Sequence, residues 1–160
     1  MIDPKDVMKT LSVEELCVTA DAYYQAISDP LPQMGKPFAS PHEAPELLMS
    51  LGALFSGLEM GKGMTVLDFG AGTCWLSRLL NQLQYVTIAC DASLSALDIG
   101  RRLFRDYSVI GHPLAEPRFL HFDGYTIDLP DKSVDRIIRF DMFHHIPNQD
   151  EVLREFSRVL

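Results

Sequence analysis

Residues 65 to 76 read Thr65-Val66-Leu67-Asp68-Phe69-Gly70-Ala71-Gly72-Thr73-Cys74-Trp75-Leu76: an apolar run, two glycines one residue apart, then the opening of an amphipathic pattern. This predicts a buried strand, a tight turn and the start of a helix. Glycines at 70 and 72 let the main chain turn sharply and let a ligand lie directly on the backbone, and the helix that follows directs unpaired N–H groups towards it. That is the build of a nucleotide-cofactor site. Several cofactors use it, so the flanking residues must choose among them.

The rest of the chain sets this turn in an α/β frame. Ser12-Val13-Glu14-Glu15 has capping-box spacing, and Val13, Leu16, Ala20, Tyr23 or Tyr24, and Ile27 follow at helical period, which predicts a first helix ending near Asp29-Pro30. Prolines at 30, 32, 37 and 41, with Gly35, predict a loop over 30–41 that neither pairs as a strand nor winds as a helix and is long enough to serve as a lid. Ser40-Pro41-His42-Glu43 offers a second cap, with Pro45 pushing the start downstream. Leu47, Leu48, Leu51, Leu54, Phe55 and Leu58 then make an apolar stripe closed by Gly61 and Gly63. Residues 1–60 therefore read as an N-terminal helical cap and lid segment, and 61–160 as the core of a single domain. In that core, strands are expected over 64–68, 85–90, 119–122 and 136–140. Helices are expected over 75–83 and 93–107, and over Glu151, Leu153, Phe156 and Val159. Strands alternating with helices imply a parallel sheet with right-handed crossovers, and a ligand outside the carboxyl ends of the strands.

Composition narrows the classes of partner. With 160 residues, 47% of them hydrophobic, the chain can bury one sizeable core. Its 22 acidic and 14 basic residues leave a net charge of −8, and no basic run offsets it, which argues against nucleic acid and against anionic membrane surfaces as partners. Cys17, Cys74 and Cys90 are odd in number, far apart and form no C-x-x-C pair, which fits a reduced, cytoplasmic setting. The N-terminus carries no apolar leader segment, and no run approaches the ~20 apolar residues that span a bilayer.

Two common cofactors fit the turn poorly. A dinucleotide fingerprint needs a small residue at the last position of G-x-G-x-x-G/A, and here that position is Trp75. No G-x-x-x-x-G-K-[ST] phosphate loop is present either. What remains is D-x-G-x-G at 68–72 and an acid at the end of the second expected strand, in Ala89-Cys90-Asp91-Ala92-Ser93.

With these residues the sequence resembles the class I S-adenosylmethionine-dependent methyltransferases, of the type 11/25 kind, over about residues 64–160. Four further segments extend the likeness. Phe122-Asp123-Gly124 and Leu129-Pro130-Asp131-Lys132-Ser133-Val134-Asp135-Arg136-Ile137-Ile138 are similar to the family's G-D-A and L-P-F-x-D-x-S-F-D-x-V stretches. Phe143-His144-His145-Ile146 is similar to L-H-H-I, and Leu153-Arg154-Glu155-Phe156-Ser157-Arg158-Val159-Leu160 to L-x-E-x-x-R-V-L. The resemblance implies a Rossmann-like doubly wound sheet, S-adenosylmethionine as cofactor with S-adenosylhomocysteine as product, and methyl transfer to a small-molecule acceptor. The alternative is a fragment or degenerate relative that holds the cofactor without turnover. A nicotinamide-dependent reductase is a third reading, weakened by Trp75.

The same resemblance assigns roles. Asp91, with Ala92 beside it, would accept hydrogen bonds from the ribose diol. Asp68 would hold the cofactor's ammonium group, directly or through water, or else brace the turn. Gly70, Ala71 and Gly72 would cradle the cofactor, Asp123 and Gly124 would meet the adenine, and Phe140 and Asp141 would lie beside the methionine part, unless Phe140 is core. His144 or His145 is the candidate general base, since imidazole titrates near neutrality. Adjacent histidines are expected to point in different directions, and no metal site is expected. Tyr23, Tyr24 and Phe38 are candidates to close over the cofactor, Trp75 is expected to pack against the cap, and His42, His112 and His121 stand in no constellation. Four strands of the family's usual seven are present, in expected order 3-2-1-4. Strand four is then an open apolar edge, which implies a truncated product or a homodimer that covers it.

Overall fold

The computed structural model describes residues 11–107 and 115–160. Four parallel strands, β1 (Thr65–Phe69), β2 (Val86–Asp91), β3 (Arg118–His121) and β4 (Arg136–Ile138), form one sheet in the order β3-β2-β1-β4, as the sequence predicts. Phe69 sits beside Cys90, Cys90 beside Leu120, and Asp68 beside Ile138. This register aligns the carboxyl ends of the strands along one edge.

Each helix is fixed by the apolar face it turns to the sheet. On one face, α4 (Trp75–Gln82) and α5 (Leu94–Asp106) bury Leu76, Leu80, Leu97 and Leu103. There α3 (Ala44–Gly57) adds Leu51 to a cluster with Val66 and Ile138. On the opposite face α6 (Gln149–Val159) buries Val152, Phe156 and Val159 against Leu67, Phe69 and Phe122. Phe69 meets the Phe122 and Phe156 rings edge to face at 4.9 and 4.8 Å, a geometry that adds to the burial of their area. The sheet is thus covered on both sides, the arrangement that all-parallel strands require.

The front of the chain departs from expectation in detail. The helix α1 (Val13–Gln25) starts at the predicted capping box, with Ser12 and Glu15 bonded reciprocally, but it ends before Asp29 and buries no residue completely. Within the expected loop, a one-turn helix α2 (Leu31–Met34) forms, because proline in the first turn donates no N–H that the turn needs. Pro45 lies in the first turn of α3 for the same reason. Strand β4 is shorter than predicted: Asp141 takes a left-handed φ of 54°, and the chain turns into a one-turn 3₁₀ segment at Phe143–His145.

Candidate functional site

The carboxyl edge of the sheet opens into a cavity of about 860 Å³. Its floor includes Gly70 after β1, Asp91 and Ala92 after β2, and Gly124 after β3; the loop after β4 contributes Met142 and His145. Helix α1 is the roof. At one end Val13 occupies the space that a side chain on Gly124 would need, and at the other the Tyr24 hydroxyl lies 2.7 Å from where a Cβ on Gly72 would stand. Val13 and Tyr24 are eleven steps apart along the helix, which at ~1.5 Å per step gives the roof a span of roughly 16 Å.

Two polar straps hold the roof down. The Tyr125 hydroxyl donates to Glu14 Oε1 at 2.8 Å. Asp21 Oδ1 accepts from the Ser93 hydroxyl at 2.8 Å and the Ser95 N–H at 2.9 Å, at the amino end of α5, where the helix dipole favours a carboxylate. These contacts hold the Asp21 carboxyl below its usual range. Neither Asp21 nor Tyr125 stands out in the sequence, because the pairing crosses 72 to 111 positions.

The glycine turn is sewn to the end of β2. The N–H groups of Gly70 and Ala71 both donate to the Cys90 carbonyl, at 2.8 and 3.0 Å, and the Gly72 N–H donates to Asp91 Oδ2 at 2.8 Å. Asp91 Oδ1 accepts from the Ser93 N–H at 2.8 Å. Each carboxylate oxygen can accept twice, so Asp91 keeps free lone pairs at the cavity wall. Burial pushes its pKa up, opposed by these N–H groups and by His121. His121 itself has a partner that its sequence did not suggest, with Nε2 3.1 Å from the Ala92 carbonyl.

Of the three acids, only Asp91 lines the cavity. Asp68 lies behind the turn, 2% exposed, where it accepts from the Ser77 hydroxyl at 2.6 Å and so ties β1 to α4. Burial pushes its pKa up to about 7, against the Ser77 hydrogen bond. Asp123 is exposed at the rim, its Oδ1 accepting from the N–H groups of Tyr125 and Thr126 in a side-chain turn. All three nonetheless belong to the same edge of the sheet. Asp91, Asp123 and Glu14 each raise the pKa of Cys17 in the roof, which burial raises most.

The other expected residues separate similarly. Gly124 lines the cavity, with its carbonyl held by the Asn148 side chain at 3.0 Å. Ala71 is buried with Cys74, Ala89 and Leu97, on the face of the sheet that carries α4 and α5. Phe140 packs edge to face on Trp75 at 5.6 Å in the cluster with Leu51, while Met142, two residues on, lies over Gly70. Tyr23 and Tyr24 line the cavity; Phe38 is 71% exposed and does not. The adjacent histidines do not diverge as expected, because the 3₁₀ turn brings their rings to 3.9 Å. Only His145 reaches the cavity, and partial desolvation, then His144, holds its pKa below the usual value. His112 lies outside the described residues.

Comparison with known proteins matches this arrangement. The family model described as "Methyltransferase domain" matches residues 67–160. No curated protein matches the chain. A putative methyltransferase from an antibiotic biosynthesis pathway of Anabaena variabilis is similar in structure, with 26% identity and a TM-score of 0.56 over 71% of this chain and 41% of its own. A putative S-adenosyl-L-methionine-dependent methyltransferase of Methanococcus maripaludis has 16% identity and a TM-score of 0.65 over 100% of this chain and 63% of its own. A phosphoethanolamine N-methyltransferase of Haemonchus contortus, in complex with phosphomonomethylethanolamine and S-adenosylhomocysteine, has 19% identity and a TM-score of 0.69 over 95% of this chain and 34% of its own. The chain thus spans less than two thirds of each of these structures. A strand–glycine turn–helix unit sewn to an acid on the next strand, in a sheet ordered 3-2-1-4, is what the family match covers, and the chain belongs to the methyltransferase domain family.

Proposed function

We propose that the chain binds S-adenosylmethionine in the cavity beneath α1 and transfers its methyl group to a small-molecule acceptor. The observation that carries this reading is Asp91, a carboxylate at the cavity wall whose two oxygens each hold one backbone N–H and keep capacity for a diol. The turn at Gly70 and Gly72 carries no side chain of its own, so a ligand that displaces the Met142 side chain reaches its backbone beneath the Tyr24 hydroxyl, and at the far end, over Gly124, it meets Val13 of the roof. Bound there, S-adenosylmethionine supplies a methyl group already activated on a sulfonium centre.

The protein's task is then alignment and exclusion of water. Asp91 fixes the ribose, with Ala92 beside it; Gly124 and the Asp123 turn border the base. Asp68 braces the glycine turn from behind through Ser77. Tyr24, whose hydroxyl burial keeps protonated, stands in the roof above Gly72 as a donor within reach of the ligand. Phe140 packs on Trp75 in the core and holds the chain just after β4, from which Met142 projects. His145, neutral near pH 7 because its pKa is lowered, accepts a proton at a ring nitrogen if the acceptor arrives protonated; His144 assists only by depressing that pKa. No helix among the described residues is long and apolar enough to cross a membrane. The three free cysteines support a reducing cytoplasmic setting.

Calorimetric titration with S-adenosylhomocysteine tests the reading, followed by product formation across a panel of acceptors. Charged hydrogen bonds contribute about 1.5–3 kcal/mol, so Asp91→Ala should weaken binding by roughly ten- to a hundred-fold. Unchanged affinity in that variant would remove the assignment. Binding without product would leave the chain a holder of the cofactor.

A further inference from the structure

The walls of the cavity differ in chemistry. Around Gly70, Asp91 and Tyr24 they present backbone, carboxylate and hydroxyl groups. Between α1 and the loop after β4 they are mainly apolar, with Leu16, Ala20, Met142, Ile146 and Pro147, joined by Cys17 and Thr19 of the roof and by His145 and Asn148 of the loop. Ile146 is 8% exposed and joins the core cluster beneath, so this wall is continuous with the hydrophobic interior. Charge adds a second constraint. Asp91 lines the cavity, Asp123 stands at its rim, and Glu14 and Asp21 strap the roof, so carboxylates border it on several sides. None of the described residues lining it is lysine or arginine.

Resting on the methyltransferase reading, we propose that the acceptor is an apolar molecule without an anionic group, seated against Leu16, Ala20, Met142 and Ile146 with its hydroxyl or amine towards His145. Burial of apolar surface against this wall supplies the affinity. An acceptor carrying phosphate or carboxylate loses its hydration among carboxylates, with no described cation to receive it. A hydroxyl or amine meets an imidazole that is neutral at pH 7 and can take its proton. The bond formed is between methyl carbon and the acceptor's oxygen or nitrogen, the bond broken is carbon to sulfur, and the acceptor's proton goes to His145 and then to water.

The test is calorimetry on protein saturated with S-adenosylhomocysteine, with β-naphthol and β-naphthyl phosphate as probes that share the ring system, the ester carrying an anion in place of the free hydroxyl. β-Naphthol is expected to bind at least about tenfold more tightly than its phosphate, and Leu16→Arg is expected to reverse that order. Ala20→Lys, at an adjacent point of the roof, serves if Leu16→Arg does not fold. Equal or tighter binding of the phosphate by the wild type, no binding of β-naphthol, or an order that neither variant changes overturns the inference. S-adenosylhomocysteine is titrated first, without probe. Failure there overturns the methyltransferase reading itself, whereas its binding followed by indifference to the probes overturns only the acceptor class.

Discussion

At the scale of single residues, the two buried acids of the site do different work although the sequence presents them alike. Asp91 is the last residue of β2 and lines the cavity, whereas Asp68 lies one residue before the end of β1, where alternation of side chains sets it on the face opposite Phe69, against Ser77. The sequence assigned Asp91 to a ligand and left Asp68 between holding the cofactor and bracing the turn; the Ser77 partner that favours the brace lies in the next helix, and its contact with Asp68 depends on how that helix packs on the sheet. Asp123 shows the same limit, since its carboxylate closes a local turn on Tyr125 and Thr126. For Asp68 the consequence is a pH dependence. Its folded pKa of about 7 lies above the ordinary value of 3.8, so the folded state binds more protons between these limits and stability falls as pH rises through them. Asp68→Asn should flatten this slope. Urea midpoints from pH 4 to about 8 measure it, and a wild-type slope no steeper than the variant's would contradict the burial argument.

At the scale of elements, helix–strand packing was the more readable part. The apolar period of α4, α5 and α6 located them to within a few residues, and the glycine turn located β1. Close packing was less visible. Gly100 in α5 leaves the space that Cys74 fills, and a Cβ there would overlap the Cys74 sulfur and lie 3.4 Å from the Phe119 ring. Cys74 has little freedom to yield, being buried in a left-handed conformation with φ 61°. Gly100→Ala gains about 1 kcal/mol of helix propensity but overpacks at a cost of about 1–3 kcal/mol. Net destabilisation is expected in chemical unfolding. The roof obeys other rules. Helix α1 buries no residue completely, so its position rests on partial apolar contact and on the two straps. Asp21→Ala should raise amide exchange across α1 several-fold while leaving β1 and β2 protected, and Asp21→Asn, which keeps the accepting oxygen, should restore it; mass-spectrometric exchange reads both. The short α2 was missed because proline punctuation marks a loop and the first turn of a helix equally well.

At the scale of the whole molecule, alternation of strand and helix made a parallel sheet legible, and the resemblance to the family supplied its order, β3-β2-β1-β4. Among the described residues β4 pairs only with β1, so its outer edge offers unpaired backbone groups. Copies of the chain are expected to associate through this edge, and light scattering over a concentration series checks it. A monomer mass at every concentration would mean that the edge is shielded in another way.

The Glu155–Arg158 pair, part of the motif by which the sequence resembles its family, touches no part of the cavity. Glu155 accepts from the Ile127 N–H, and the Arg158 guanidinium donates to Glu155, to Asp131 and to the carbonyls of Ile127 and Leu129. The backbone of Arg158 and Val159 then receives the N–H groups of Lys132, Ser133 and Val134. An irregular crossing of the chain is stitched in place by one side chain acting as a surrogate strand. A descendant that had lost all catalytic power would still need that stitch, so this part of the signature is a record of shape and is silent about chemistry.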